Sequence, residues 1–585
     1  MVLAIAGTAV LLLAAVAWLG VRGLQARSAL TAAVPQVERL QEQLLAGDEE
    51  SALSTLNGLQ TSTDLARNRT SDPIWTAASR LPWAGPNLSA IAAVAAGLDE
   101  LGDTVLPSLV ASADALDVRA MAPVDGRIDL EPLAAAAPFV ARAAASMSRV
   151  DATVGAIRTD NVLDAVARPV TDVQARMHEL NATLATAQTA TLLLPSMLGA
   201  DGPRSYLLLL QSNAELRATG GMPGALSVIT ADNGRLELTE QSTAAAVHAS
   251  GGPDVTLTPE DEALYTDRMG TYIADVNFTP DFPTAAGLAR EMWRQYSGKS
   301  VDGVLATDPV ALSYLLAATG PVADGSGGEL AADNAVDMLL SGAYARFPDT
   351  SDQNAYFAGV AASVFRSLVD GRASPTATLP AMARAAAEHR LLVWSARADE
   401  RAALDGTVLT GDLPADAGDT STIGVFFNDG TGSKMDYYLD TRVAVIASTC
   451  DRLGPGGEST AAAHTVRVTL ANNAPLDADE TLGPSVTGSG APGGAPRGDI
   501  ETSIVLIGPV AGTIDAVERD GNQVGTAGYD QDGRPATTYS VQLRPGEDAV
   551  VDVTMSDPSV GDILDVWSTP TKDQSGYLSQ QSCSQ

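Results

Sequence analysis

Between the apolar runs YLLLLQ (206–211) and ALSVIT (225–230) the chain carries NAELRATGGMPG. This short stretch brings together an acid, Glu215, a base, Arg217, and the pair Gly220–Gly221. The glycines allow backbone N–H groups to converge on an anion, and the planar fork of Arg217 suits phosphate or carboxylate. Two further blocks lie downstream, DVNFTPDFP (275–283) and VDGVLATDP (301–309). They place Asp275, Asn277, Asp281, Asp302 and Asp308 at expected strand ends and turns, where sites of α/β sheets lie. Of these, Asp275, Asp302 and Asp308 are the candidate Mg²⁺ ligands, through their carboxylate oxygens. The same residue types serve as caps and turn formers, and Glu215 with Arg217 reads equally as a salt bridge closing a loop.

Other chemistry fails on inspection. HELNA (178–182) lacks the second His of a zincin, and the first glycine position of a Walker loop ending in SGKS (297–300) is Trp293. DQDG (530–533) opens like a calcium loop, but its closing position is Val541. RGD (497–499) is read as coincidence, there is no GxSxG elbow, and the four His residues are scattered at 178, 248, 389 and 464. Cys450 and Cys583, the two cysteines, have no metal spacing and are candidates for one disulfide clamping the tail.

The elements that must position these residues fall into four stretches. A formal charge of −35 over 585 residues excludes nucleic acid as a partner, since binding it requires clustered cations. Residues 2–21 are uncharged and about 30 Å long as a helix, and 1–24 is read as a transmembrane anchor. A cleavable signal is the competitor, with AVAW (15–18) as its cleavage site. The anchor implies a single-pass protein of the cell membrane with its bulk outside. Residues 28–195 are Ala-rich and helical, a stalk or bundle. Alternating strand and helix patterns over 200–405 predict a layered α/β domain, with ADNG (231–234) as a hairpin turn. Short β-branched runs over 415–585 predict an antiparallel β-sandwich, and 483–499 a flexible loop. The fold class is therefore multidomain α+β.

YLLLLQSNAELRATGGMPGALSVITADNGRLEL, DVNFTPDFPTAAGLAREMW and VDGVLATDPVALSYLLAATGPV resemble the blocks of the DUF4012 family of membrane-anchored, mostly actinobacterial proteins. DPIWTAASRLPWAGPNLSAI, GRIDLEPL (126–133) and GTGSKMDYYLDTRVAV (430–445) follow the same layout. The family's name carries no activity. The VDGVLATDPVALSYLLAATGPV block is also similar in rhythm to the LytR-CpsA-Psr domain, whose members move polyprenyl-linked glycopolymers onto cell wall. That likeness implies Arg217 as phosphate binder and Asp275, Asp302 or Asp308 as Mg²⁺ ligands, but the family's full Arg set is missing and its Gly-Gly-Val turn is Gly-Pro here.

The expectation is a non-enzymatic, membrane-anchored envelope protein that binds or scaffolds, in surface polysaccharide or cell-wall assembly, with no cofactor. The alternative is a glycopolymer transferase acting on a polyprenyl-pyrophosphate-linked substrate with Mg²⁺. The expected partners are the membrane, through residues 2–21, and a cell-wall or lipid-linked glycopolymer.

Overall fold

The computed structural model describes residues 2–585 apart from 47, 117–121, 160–161, 250–256, 373, 415–419, 453–458, 489–493, 559–562 and 582–585. The side chains of residues 2–13 also lie outside the described set. The chain forms two compact units, 1–122 with 128–201, and 123–127 with 202–585.

The first unit is helical, as the Ala-rich pattern requires. Its helices are Val2–Ala46, Glu49–Thr70, Pro73–Ala78, Gly85–Glu100, Leu106–Leu116, Glu131–Gly155 and Asp164–Met197. VERLQEQLLA is not a helix of its own but the end of one 45-residue helix that continues through Pro35. The next two starts are set by acids. Asp48 accepts the Ser51 N–H, and Asp72 accepts those of Ile74 and Trp75, an N-cap bond typically contributing about 1 kcal/mol. Small side chains let the helices close: Ala29, Ala66 and Ala95 meet in one cluster. A Cβ on Gly97 would stand 2.5 Å from Val154. Among the described residues no helix is long and apolar enough to cross a membrane. Most side chains of the expected anchor, 2–21, lie outside that set.

The second unit is built on a five-stranded sheet of β1 (Arg204–Ser212), β2 (Met222–Asp232), β3 (Arg235–Thr243), β4 (Gly303–Thr307) and β7 (Leu391–Ser395). Between the last two lie the two-residue strands β5 (Val322–Ala323) and β6 (Glu329–Leu330). The order is β3-β2-β1-β4-β7. Only β1 and β4 run parallel, so the layered domain holds a mixed sheet. The expected hairpin is present: Asn233 and Gly234 both take positive φ, 47° and 79°, and join β2 to β3. Asp281 caps the crossover helix Phe282–Ser297, and Gly298 closes it in the left-handed region. Phe282, Ala285, Ala286, Ala289, Met292 and Trp293 share the buried side of this helix and pack with Leu207, Leu209, Val304 and Ala306 of the sheet. Helix Pro375–Ala387 was not anticipated, although its proline in the first turn is a legible start signal.

The sandwich strands are β8 (Thr420–Asp429), β9 (Leu439–Arg452), β10 (Ser459–Asn472), β11 (Ile500–Ile507), β12 (Thr513–Arg519), β13 (Asn522–Gln523), β14 (Tyr529–Gln531), β15 (Arg534–Leu543), β16 (Asp548–Asp557), β17 (Ile563–Ser568) and β18 (Tyr577–Gln581). They form sheets β13-β12-β16-β10-β9 and β14-β15-β11-β8-β17-β18. One pair departs from the expected antiparallel pattern: β17 runs parallel to β8. The chain enters β17 from β16, which belongs to the other sheet, and that crossover delivers it in the same direction as β8. The expected loop over 483–499 begins with a one-turn helix, Pro484–Thr487. The layered sheet and the sandwich belong to one compact unit. Phe426, Val505, Ile507 and Trp567 of the sandwich share a core with Leu207 and Trp293.

Candidate functional site

The β1–β2 connection is a buried joint. Its turn is drawn together by Glu215 N–H to Ser212 O (3.1 Å), Gly220 N–H to Arg217 O (2.8 Å) and Met222 N–H to Glu215 O (2.8 Å). Gly220 has φ +134°, and a Cβ on Gly221 would sit 2.2 Å from Ser212 O. The two glycines thus permit close passage of the chain. Gly221→Ala is expected to cost about 3 kcal/mol in a denaturation midpoint measurement, the upper end for forced overpacking. Two buried amides clamp the loop: Asn213 Nδ2 donates to Gly220 O and Pro570 O, and Asn277 Nδ2 donates to Gly221 O.

The same loop is hydrogen-bonded into the sandwich. Asp436 accepts the Leu216 N–H (2.7 Å), Asn428 Oδ1 accepts the Ala218 N–H (2.9 Å), and the Asp429 N–H donates to Leu216 O (2.9 Å). Through it runs a chain of alternating charge, Lys434–Glu215–Arg217–Asp275–Arg268. Arg217 donates to Glu215 (2.9 Å), to Asp275 (2.8 Å) and to Leu216 O (2.9 Å), and lies 4.4 Å from the centre of the Phe278 ring. Burial alone would raise the Glu215 carboxyl, but Lys434 and Arg217 outweigh it and hold it below its usual value. Burial, then the neighbouring Asp429, push the Asp436 carboxyl well above the ordinary range.

Beside this joint lies a cavity of about 700 Å³, within the range of about 300–1,000 Å³ typical of small-molecule sites. It occupies the sheet face opposite the core, where Leu208 and Leu210 of β1 face Ala225, Ser227 and Ile229 of β2. Helix Thr350–Val369 roofs it with Phe357, Ala361, Val364, Phe365 and Leu368, one stripe at helical spacing. The small residues Gly224, Ala225, Ser227 and Ala361 leave the space. Its lining becomes exposed beside edge strand β3, at Gln241, Ala245 and Thr350. Gln211, Ser212, Asp308 and Lys434 form a polar end, near the carboxyl ends of the parallel strands β1 and β4.

Residues 201–344 match the family described as protein of unknown function (DUF4012). This segment is a DUF4012 region. It supplies the four strands β1–β4 and the loop between β1 and β2, whereas the whole of the cavity's roof helix and Lys434 lie beyond the match. No curated protein and no solved structure matches the chain.

Within and around the DUF4012 region the remaining candidates take separate positions. Asp275 bridges Arg217 and Arg268. Asp308 caps helix Pro309–Thr319 through the Ala311 N–H and pairs with buried Arg390 at 2.7 Å. Asp302, half-exposed, accepts the Ser205 N–H at 2.8 Å. The three do not converge. Among the described residues the carboxylates close enough to share an ion are Asp64, Asp99 and Asp103 of the helical unit, and Asp99 there pairs with Arg67. Arg217 is buried against carboxylates and does not line the cavity. Cys583 lies outside the described residues, and with it the expected disulfide. Sequence reading missed Lys434, although GTGSKMDYYLDTRVAV carries it, and missed the cavity, whose walls come from runs far apart in sequence.

Asp281 gives a pH prediction. Burial pushes its carboxyl up to about 6 despite the bonds from Thr284. The folded chain therefore holds this proton more tightly than the unfolded one, whose Asp titrates near 3.9. The associated stability is full below about 4 and is lost as pH rises through about 6. Asp281→Asn is expected to flatten that fall, on the order of 2–3 kcal/mol, in denaturation midpoints compared at pH 4 and pH 7.

Proposed function

We propose that this is a membrane-anchored envelope protein that holds one amphiphile, a long apolar chain with an anionic head, and does so by binding rather than by chemistry. The cavity carries the reading: its lining is overwhelmingly aliphatic and aromatic, with Lys434 as the cation at its polar end. Burial would lower the Lys434 ammonium, but Glu215 beside it reverses this and keeps it charged. An ammonium has three donors, and Glu215 engages one, leaving others for a phosphate head. A polyprenyl phosphate has the required shape, which links the reading to surface polysaccharide or wall assembly. The transferase alternative is less well supported, because the residue that would bind its phosphate, Arg217, is engaged by Glu215 and Asp275. The test is equilibrium binding of a polyprenyl phosphate and of the matching polyprenol to the full chain in detergent. The reading expects saturable binding with the phosphate favoured, and absence of binding by either overturns it.

A further inference from the structure

At one end of the helical unit, exposed apolar side chains collect at a single level. Ala29, Ala66 and Ala95 mark a common height on three helices. Ten residues back from Ala29 and from Ala95, about 15 Å at helical rise, lie Leu19 and Gly85. The polarity of the helices agrees, because Gly102 lies beside Gln60 and Thr63, on the other side of Ala66 from Asp72. At the same end Trp18 Nε1 donates to Asp72 (3.3 Å) and Arg22 pairs with Asp72 (3.5 Å). The turn just before Gly85 presents Leu81 at 43% and Trp83 at 76% exposure, and Val16, Trp18 and Val21 of the first helix are also exposed.

The charge of this end is the reverse of the chain's. Segments 14–29 and 66–89 carry Arg22, Arg27, Arg67, Arg69 and Arg80 against Asp72. Arg67 is paired with Asp99, and Asp164 follows Leu163, whose N–H donates to Asn87, so the excess of arginine is smaller but stands within a chain of net −35. A half-exposed tryptophan with Arg22 stacked on its ring, where an uncharged 20-residue run ends, matches the chemistry of a bilayer interface. There the indole sits at the headgroup level and arginines meet anionic lipid.

We propose that the 79–84 turn is a second membrane contact, with Leu81 and Trp83 entering the headgroup layer of an anionic bilayer beside the anchor and Arg80 on its phosphates. This rests on residues 2–21 spanning the bilayer. It fixes the foot of the helical unit on the surface at two points, where a single helix would leave it free to swing.

The test uses the full chain reconstituted into phosphatidylglycerol vesicles whose acyl chains are brominated, with tryptophan emission as the readout. Three tryptophans lie at the foot, but Trp75 is buried against Gly23 while Trp18 and Trp83 are exposed, so Trp83→Phe is expected to remove about half of the quenchable emission. Arg80→Glu is expected to reduce quenching in the same direction. Quenching of the parent that is unchanged in Trp83→Phe overturns the second contact and leaves the anchor standing. No quenching in the parent overturns both.

Discussion

Replacing Arg217 by leucine is expected to destabilise the second unit by about 3–5 kcal/mol, the range for breaking a buried ion pair from one side. The substitution leaves Glu215 and Asp275, both buried, each without its central cation. Lys434 still reaches Glu215 and Arg268 still reaches Asp275, but Arg268 is largely exposed and compensates weakly. The damage should concentrate at the joint, because the loop also bonds Asp436, Asn428 and Asp429 of the sandwich. Chemical denaturation of the full chain measures the loss, and hydrogen exchange along β1 and β2 assigns it to this unit. A double substitution, Arg217→Leu with Glu215→Gln, should recover part of it, since it removes one of the two stranded charges. A loss under 1 kcal/mol would mean that the pairs hold no buried charge in place.

Filling the cavity should separate binding from stability. Ala225 of β2 and Ala361 of the roof helix line opposite walls. Ala225→Trp with Ala361→Trp occupies the space an apolar chain needs without touching the charged joint. Affinity for a polyprenyl phosphate is expected to fall at least tenfold, about 1.4 kcal/mol or more. The fold should stay intact, because the new rings enter existing space and do not overpack filled core. Isothermal titration alongside denaturation reads both quantities on the same sample.

Local signals made much of this molecule legible. Asp281 before Phe282-Pro283 and Asp308 before Pro309, residue types read as caps or turn formers, each cap the helix that follows. Asn233–Gly234 turns the hairpin for the steric reason the dipeptide implies. The role of NAELRATGG was only half legible. Its acid and base do pair, but their third and fourth partners, Asp275 and Lys434, lie 58 and 217 residues from Arg217, and no periodicity links them. The cavity was hidden for a related reason. Leu208 and Leu210 read as core because a continuous apolar run marks burial on both faces without saying whether anything fills the space above one of them. The core shared by the α/β sheet and the sandwich has no local sequence signal, because it is set by packing of Phe426 and Trp567 across segments far apart in the chain.

The central claim is that the cavity beside the DUF4012 loop holds a single amphiphile, and native mass spectrometry of the full chain released gently from membranes tests it most directly. The account predicts one bound lipid with an anionic head per chain, absent from the Ala225→Trp, Ala361→Trp variant. A parent chain that flies without lipid, or a lipid retained equally by the filled variant, would contradict it.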